Sequence, residues 1–306
     1  MSACPARLFF CGERDLPSLC DARGVTHVVS VGWPPPEDPT EGRIDEAHTL
    51  VIALPDDNLA DLLGAVPEAT TFISSALALE TAAVAVHCHA GESRSSAIVA
   101  AYLLRFEHVN IDDALAAVEA LGGAPNDGFR SQLELWAQMG CRVSTANEAY
   151  KLWSVAKIAR ERDERGYLES TSVMRDPGAP GAVEDPEGGG WVSCRKCRRR
   201  LARSTHVLRH DHGQGIDAFS WKQRRKESAR AIDDVRRPCS SMFVAPLSWM
   251  KGIEDGDGGE TRGKLTCPAC ATKIGAFDWA GIQCSCGAWV SPGFQIQRAK
   301  TDAFGI

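Results

Sequence analysis

The chain has 306 residues, 44% hydrophobic and 24% charged, with a formal net charge of −6. These values are ordinary for a soluble globular protein, and no apolar run reaches the ~18 residues that a membrane-spanning helix needs. Residues 1–7 hold no apolar core of signal-peptide length, so the expectation is a cytoplasmic and nuclear protein with no membrane partner.

The length suits two domains, and the charge is split between two halves. Residues 191–306 hold 20 Lys and Arg against 11 Asp and Glu, a balance of +9, which leaves −15 for residues 1–190. A basic back half suits nucleic acid or an acidic partner, or is only a solvated surface. Seven of the twelve cysteines fall between Cys194 and Cys286, mostly in tight pairs. In an intracellular chain that pattern points to metal rather than to disulfides.

In chain order, three short apolar runs read as buried strands: His27 to Val31, Leu50 to Leu54 and Ala82 to His87. Helical spacing runs from Asp61 to Leu79. Ser95 to Phe106 is apolar nearly all round, which predicts a buried helix. Asp112 to Leu121 and Phe129 to Met139 complete the set. Strands alternating with helices imply an α/β sandwich with a mainly parallel sheet.

Past Met139-Gly140 lies a polar stretch of helical character, Asn147 to Arg165. A run rich in Gly, Pro and acid follows, from Asp176 to Gly190, and reads as a flexible linker. The expected division is 1–145 for the α/β domain, 146–190 for a helical segment and linker, and 191–306 for a small, turn-rich second domain. Glu254 to Glu260 reads as an acidic loop.

The strongest local signal is Val86-His87-Cys88-His89-Ala90-Gly91-Glu92-Ser93-Arg94-Ser95. A cysteine ends an apolar strand, five residues separate it from an arginine, and a helix begins at once. The backbone N–H groups of such a loop and the helix N-terminus together bind an anion and favour the thiolate of Cys88. His89, Ala90, Gly91, Glu92, Ser93 and Arg94 would line the phosphate. Gly91 permits close backbone approach, and Arg94 can grip two oxygens with its planar fork. Ser95 can donate a hydrogen bond to the sulfur. Glu92 opposes the anion's charge unless it points to solvent.

A leaving oxygen also needs a proton. Asp56, Asp57 and Asp61 lie after a predicted strand, and Asp61 stands where a helix N-cap is expected.

The cradle motif, the helical Ala97-Ile98-Val99-Ala100-Ala101-Tyr102-Leu103 and Pro125-Asn126-Asp127-Gly128-Phe129 with Gln132-Leu133 resemble the dual-specificity branch of the protein tyrosine phosphatase superfamily, over roughly residues 7–140. The resemblance implies that fold and a phosphoprotein substrate, with hydrolysis of phosphotyrosine and phosphoserine/threonine through a phosphocysteine that needs no metal. It implies Asp56 as general acid, five residues before Asp61, and a cradle-ordering hydrogen-bond role for His87. His89 is left to substrate contact or to solvent.

In the back half stand Cys194-Arg195-Lys196-Cys197, Cys239, Cys267-Pro268-Ala269-Cys270 and Cys284-Ser285-Cys286-Gly287. C-x₂-C turns place two thiolates on one knuckle, a spacing that suits tetrahedral zinc. Seven cysteines are one short of two four-ligand sites, and His206, His210 and His212 are the local candidates for the eighth. These groups, with Pro246 to Met250 and Pro292 to Ile296, resemble those phosphatases of the branch that carry a C-terminal, β-rich zinc-binding domain. That resemblance selects His210 and implies two structural zinc ions. It also implies a part in maturation of the large ribosomal subunit, with a pre-60S particle as partner through the zinc domain. Consecutive use of the ligands would join Cys194, Cys197, His210 and Cys239 on one ion and Cys267, Cys270, Cys284 and Cys286 on the other. An interleaved set, joining the two C-x₂-C knuckles, is the second alternative. Basic residues crowd the first knuckle (Arg195, Lys196, Arg198, Arg199, Arg200 and Arg203), and a second basic run follows Trp221, at Lys222, Arg224, Arg225 and Lys226.

Overall fold

Val28, Val29, Val84, Ala85 and Val86 are fully buried at the centre of a four-stranded sheet. The sheet belongs to the first of two units, Met1–Ser144 and Thr145–Ile306, of a computed structural model that describes residues 4–35, 40, 42–168, 172–182, 189–213, 239–253 and 260–306. Its strands are β1 (Leu8–Gly12), β2 (His27–Gly32), β3 (Thr49–Ala53) and β4 (Val84–Cys88), in the order β1-β4-β2-β3. Every pairing is parallel, as strands joined by long crossover connections rather than tight hairpins allow. Both central strands read as continuous apolar runs because such sheets are covered on both faces.

The helices are α1 (Leu16–Arg23), α2 (Leu62–Leu77), α3 (Arg94–Phe106), α4 (Ile111–Glu119) and α5 (Asp127–Gln138). All of α3 from Arg94 to Leu104 is buried, as its unbroken apolar character predicted. Asp61 caps α2, its carboxylate accepting from the Gly64 amide at 2.9 Å. Asn110 and Asn126 cap α4 and α5 in the same way.

In the second unit, α6 (Glu148–Arg165) precedes β5 (Trp191–Cys194), β6 (Arg200–Arg203), β7 (Val207–Leu208), β8 (Ser241–Val244), β9 (Arg262–Thr266), β10 (Lys273–Asp278), β11 (Ile282–Gln283), β12 (Trp289–Val290), β13 (Gly293–Gln297) and β14 (Thr301–Phe304). They form a five-stranded sheet, β7-β8-β13-β10-β9, a three-stranded sheet, β14-β5-β6, and the β11-β12 hairpin. Pairing is antiparallel throughout the named strands. The stretch from Trp221 through the second basic run and most of the acidic loop lie outside the described residues.

The expected helical segment and flexible linker at 146–190 needs correction, because α6 belongs to the second unit. Its apolar stripe needs a partner and finds one there. Ile158 packs with Leu168, Val173, Val192 and Leu201, and Val155 packs with Leu208 and Phe243. Lys151 donates to the carbonyls of Ser204 and Val207, both at 3.3 Å. Asp176, read from sequence as linker, is ion-paired with Arg199.

The second unit begins at Thr145 rather than at Trp191. A fragment 145–306 is expected to unfold in one cooperative transition, and a fragment 191–306 to lack it. Ile158→Ala in the longer fragment should cost about 2–5 kcal/mol, as large-to-small core changes do. Denaturant titration followed by tryptophan fluorescence measures all three. Equal stability of the two fragments would place α6 outside the fold.

Candidate active site and metal centres

β4 ends at Cys88 and α3 begins at Arg94, so the five residues between them form a tight turn at the C-terminal edge of the sheet. Cys88 is 2% exposed, and its Sγ lies 3.3 Å from Ser95 Oγ. The turn's carbonyls are engaged outward. His89 O accepts from the Glu13 amide at 3.2 Å, Glu92 O from the Ala124 amide at 2.8 Å, and Ser93 O from Ala97 N at 3.0 Å. Gly91 has φ +78°, and a Cβ there would run into the backbone of Cys11 and Gly12 at the end of β1. Its necessity thus comes from packing beneath the turn as well as from ligand approach above it.

Arg94 is buried, and its Nε lies 3.4 Å from Asp56 Oδ2. Asp56 Oδ1 accepts from Ser93 Oγ at 2.7 Å and from Asn126 Nδ2 at 3.0 Å. Asp57 closes its own turn instead, accepting from the Leu59 amide at 2.8 Å. Of the three aspartates, Asp56 alone meets the cradle, since Asp61 is the α2 cap. Glu92 is exposed, pointing its charge into solvent. His89 is exposed and pairs with Glu13 Oε2 at 3.1 Å. Glu13 escaped the sequence reading because no motif places the β1–α1 loop on this rim.

His87 differs from expectation. It is buried, and neither ring nitrogen has a hydrogen-bond partner among the described residues. Burial pushes its pKa down to about 4, so the ring is neutral and supports the turn by packing rather than by hydrogen bonding.

In the second unit the eight candidate ligands form two groups, and the pairing is interleaved. Cys194, Cys197, Cys267 and Cys270 form one, and His210, Cys239, Cys284 and Cys286 the other, each with donor atoms within 4.8 Å of one another. The consecutive alternative is not what the fold builds. The reason is structural: β5 and the β9–β10 turn present their knuckles to each other. Each knuckle closes the same way, with Arg198 N donating to Cys194 O at 2.8 Å and Ala271 N to Cys267 O at 2.9 Å. The residue after each second cysteine is left-handed, at φ 64° and 54°. Sγ–Sγ separations are 3.7 Å for Cys194–Cys270 and 3.5 Å for Cys197–Cys267. His210 Nε2 lies 3.6 Å from Cys239 Sγ and 3.4 Å from Cys286 Sγ. A tetrahedron with bonds of about 2.3 Å has edges of about 3.8 Å, so both donor sets fit a four-coordinate ion. His206 instead accepts from the Arg203 amide at 3.3 Å, and the His212 ring is 6.4 Å from that of His210.

The first knuckle is less of a free cationic face than its sequence suggests. Arg199 pairs with Asp176, its side chain only 18% exposed. Arg195 and Arg198 both pair with Asp302, although Arg198 stays 69% exposed. Arg200 lies over the Trp191 ring, 4.9 Å from its centroid.

Comparison with known proteins agrees with this architecture. The model of the dual specificity phosphatase catalytic domain matches residues 8–139. Human dual specificity protein phosphatase 12 is 34% identical over 289 residues, covering 92% of this chain and 82% of that protein. The tyrosine-protein phosphatase YVH1 of Saccharomyces cerevisiae is 30% identical over 292 residues, covering 86% of this chain and 80% of that protein. Among solved structures, the Yvh1 phosphatase domain of Chaetomium thermophilum is 30% identical, covers 45% of this chain and 94% of that chain, and has a TM-score of 0.38. With the catalytic-domain match and the likeness to the two curated relatives, which runs well past that domain, the chain belongs to the dual specificity phosphatase family and is a protein phosphatase.

Proposed function

We propose that the first unit hydrolyses phosphotyrosine and phosphoserine/threonine of protein substrates through a phosphocysteine at Cys88. The observation that carries this is the convergence of Cys88, Ser95, Arg94 and Asp56 on one turn. Cys88 Sγ attacks phosphorus as the P–O bond to the leaving group breaks. Arg94 and the turn's amides hold the three remaining oxygens, and Asp56 gives its proton to the leaving oxygen. In the second step the Asp56 carboxylate takes a proton from water, which attacks phosphorus. The P–S bond breaks, and the Ser95 hydroxyl stabilises the departing thiolate.

Cys88→Ser is expected to abolish hydrolysis of an aryl phosphate with the fold intact. Asp56→Asn should lower turnover by about 10²–10⁴-fold, the usual worth of a general acid, and Asp57→Asn far less. Equal losses at the two aspartates would refute the assignment.

The two tetrads fit zinc, held by Cys194, Cys197, Cys267 and Cys270 and by His210, Cys239, Cys284 and Cys286. A structural zinc cross-links its knuckles, and its binding energy of ~10–16 kcal/mol is also folding energy. Burial pushes the thiols of Cys239 and Cys267 up to about 12 without a cation, and a bound cation would reverse that preference. The full chain should carry two zinc ions. A Cys197→Ser/Cys267→Ser double variant should keep one, since both residues serve one ion, whereas consecutive ligand use would leave none. Elemental analysis of the purified variants decides.

A second reading is an assembly role, in which the second unit docks on an anionic pre-60S particle. Its support is the exposed guanidinium of Arg198 beside exposed Lys196. Lys196→Glu with Arg198→Glu should weaken co-sedimentation with large subunits, and more so as salt rises. Arg199 is unsuitable for this test, because its reversal would break the pair with Asp176.

The neutral state of His87 has a pH consequence. Its folded pKa lies below the ordinary value, so the folded state binds fewer protons than the unfolded one. This contribution is present in full above about pH 6.5 and falls away as pH drops toward about 4, by about 1.4 kcal/mol per unit at most. His87→Asn should flatten the pH dependence of phosphatase-unit stability in that window. Denaturant midpoints at pH 4.5, 5.5 and 7 should converge in slope with the parent's if His87 is not the cause.

A further inference from the structure

The segment from Pro125 to Gln132 has no role in the mechanism above, yet it touches the loop after β3 at every point that matters. Asn126 Oδ1 accepts from the Phe129 amide at 2.8 Å as the cap of α5. That bond orients the side chain, because an amide whose oxygen faces the helix must turn its NH₂ outward. The NH₂ meets Asp56 Oδ1 at 3.0 Å. The Asn126 backbone N–H donates to Ser93 Oγ at 3.2 Å. With that lone pair engaged, the Ser93 hydroxyl proton goes to Asp56 Oδ1, at 2.7 Å.

The rest of α5 holds the same loop. Gly128 N donates to Asn58 Oδ1 at 3.1 Å, and a Cβ on Gly128 would collide with the Asn58 backbone. The buried Gln132 donates to Ala60 O at 2.9 Å and accepts from Leu63 N at 3.2 Å. The loop after β3 and the first turn of α2 are thus bound to one helix end at Asp56, Asn58, Ala60 and Leu63, and Ala124 N, just before that segment, donates to Glu92 O of the cradle at 2.8 Å.

We propose that residues 125–132 form a fixed clamp on the acid loop, and that Asn126, acting with Ser93, is a positioning residue that selects which oxygen of Asp56 delivers the proton. Oδ1 accepts two hydrogen bonds, so the proton of the neutral acid sits on Oδ2. That is the oxygen 3.4 Å from Nε of Arg94, the residue assigned to grip the phosphate. Loss of the clamp leaves the carboxyl free to rotate and spread its proton over orientations that do not reach the leaving oxygen. The inference rests on the reading of Asp56 as general acid.

The test compares two substrates, phenyl phosphate, whose leaving oxygen needs a proton, and 2,4-dinitrophenyl phosphate, whose leaving group departs without one. The main variant is Asn126→Ser, which keeps a capping oxygen for α5 but removes the amide donor. It should lose about tenfold in kcat/KM, which reads only the step that forms the phosphocysteine, on phenyl phosphate and less than about twofold on dinitrophenyl phosphate, a part of the full general-acid effect. Ser93→Ala keeps the backbone N–H of the cradle and removes the hydroxyl that binds Asp56, so whatever its effect on both substrates, the loss on phenyl phosphate should be the larger, which keeps the test open if the first variant folds poorly. Asp56→Asn is the reference and should show the largest selectivity. If Asn126→Ser and Ser93→Ala slow both substrates equally, or neither, while Asp56→Asn remains selective, the clamp is refuted and the general acid stands. If Asp56→Asn itself shows no selectivity, the reading of Asp56 fails and the clamp falls with it.

Discussion

The phosphatase unit is organised by the constraint that a buried turn must present N–H groups, not carbonyls, to a dianion. A helix N-terminus offers unpaired N–H groups and positive partial charge, but it has to be aimed. The parallel sheet does the aiming. β4 lies between β1 and β2, so the end of β4 is flanked by other strand ends. The carbonyls of His89 and Glu92 are drawn outward by backbone N–H groups of Glu13 and Ala124. Once those bonds are made, the left-handed conformation of Gly91 follows from the close approach of Gly12 and Cys11. Cys88 and Arg94 are both buried at this turn.

In the second unit a different constraint does comparable work. Its strands are short, two to six residues each, and short strands in small sheets bury little apolar surface. α6 supplies part of the missing core through Val155 and Ile158. The two tetrads bring together segments far apart in the chain, 76 residues in the case of Cys194 and Cys270, which a bound ion would cross-link. Left-handed residues after each knuckle, Arg198 and Ala271, carry a conformational cost of about 1–2 kcal/mol each, which the closed knuckle has to offset. The basic residues of the first knuckle are drawn into the same task. Asp302 on β14 holds Arg195 and Arg198, so the cations brace the edge of the three-stranded sheet.

What the sequence disclosed follows from the range of the interactions concerned. β2, β3, β4 and α2 to α6 were legible because each is a periodic or unbroken apolar run, a signal contained within the element. β1 and α1 were not anticipated: β1 is five residues long, and α1 is eight residues with Pro17 in its first turn and no clear apolar stripe. The cradle and the cysteine knuckles were legible because their geometry is local, five residues or two residues apart. What sequence could not supply was partnership across the chain. Whether Cys197 meets Cys239 or Cys267, whether Asp56 or Asp57 faces Arg94, and which body α6 joins are all decided by contacts between distant segments. Of the linker read over Asp176 to Gly190, Asp176 is held by an ion pair that composition could not disclose, since Arg199 lies 23 residues on.

The same distinction separates the two kinds of site. Each tetrad draws all its donors from the second unit, and the cradle with Asp56, Ser93 and Asn126 draws all of its groups from the first. Neither site borrows a ligand, a hydrogen bond or a charge from the other unit among the residues that define it. The cradle is held by backbone bonds and close packing, and the tetrads by donor geometry that suits a cation. The groups that converge on Cys88 and the two donor sets can therefore be substituted separately on one chain.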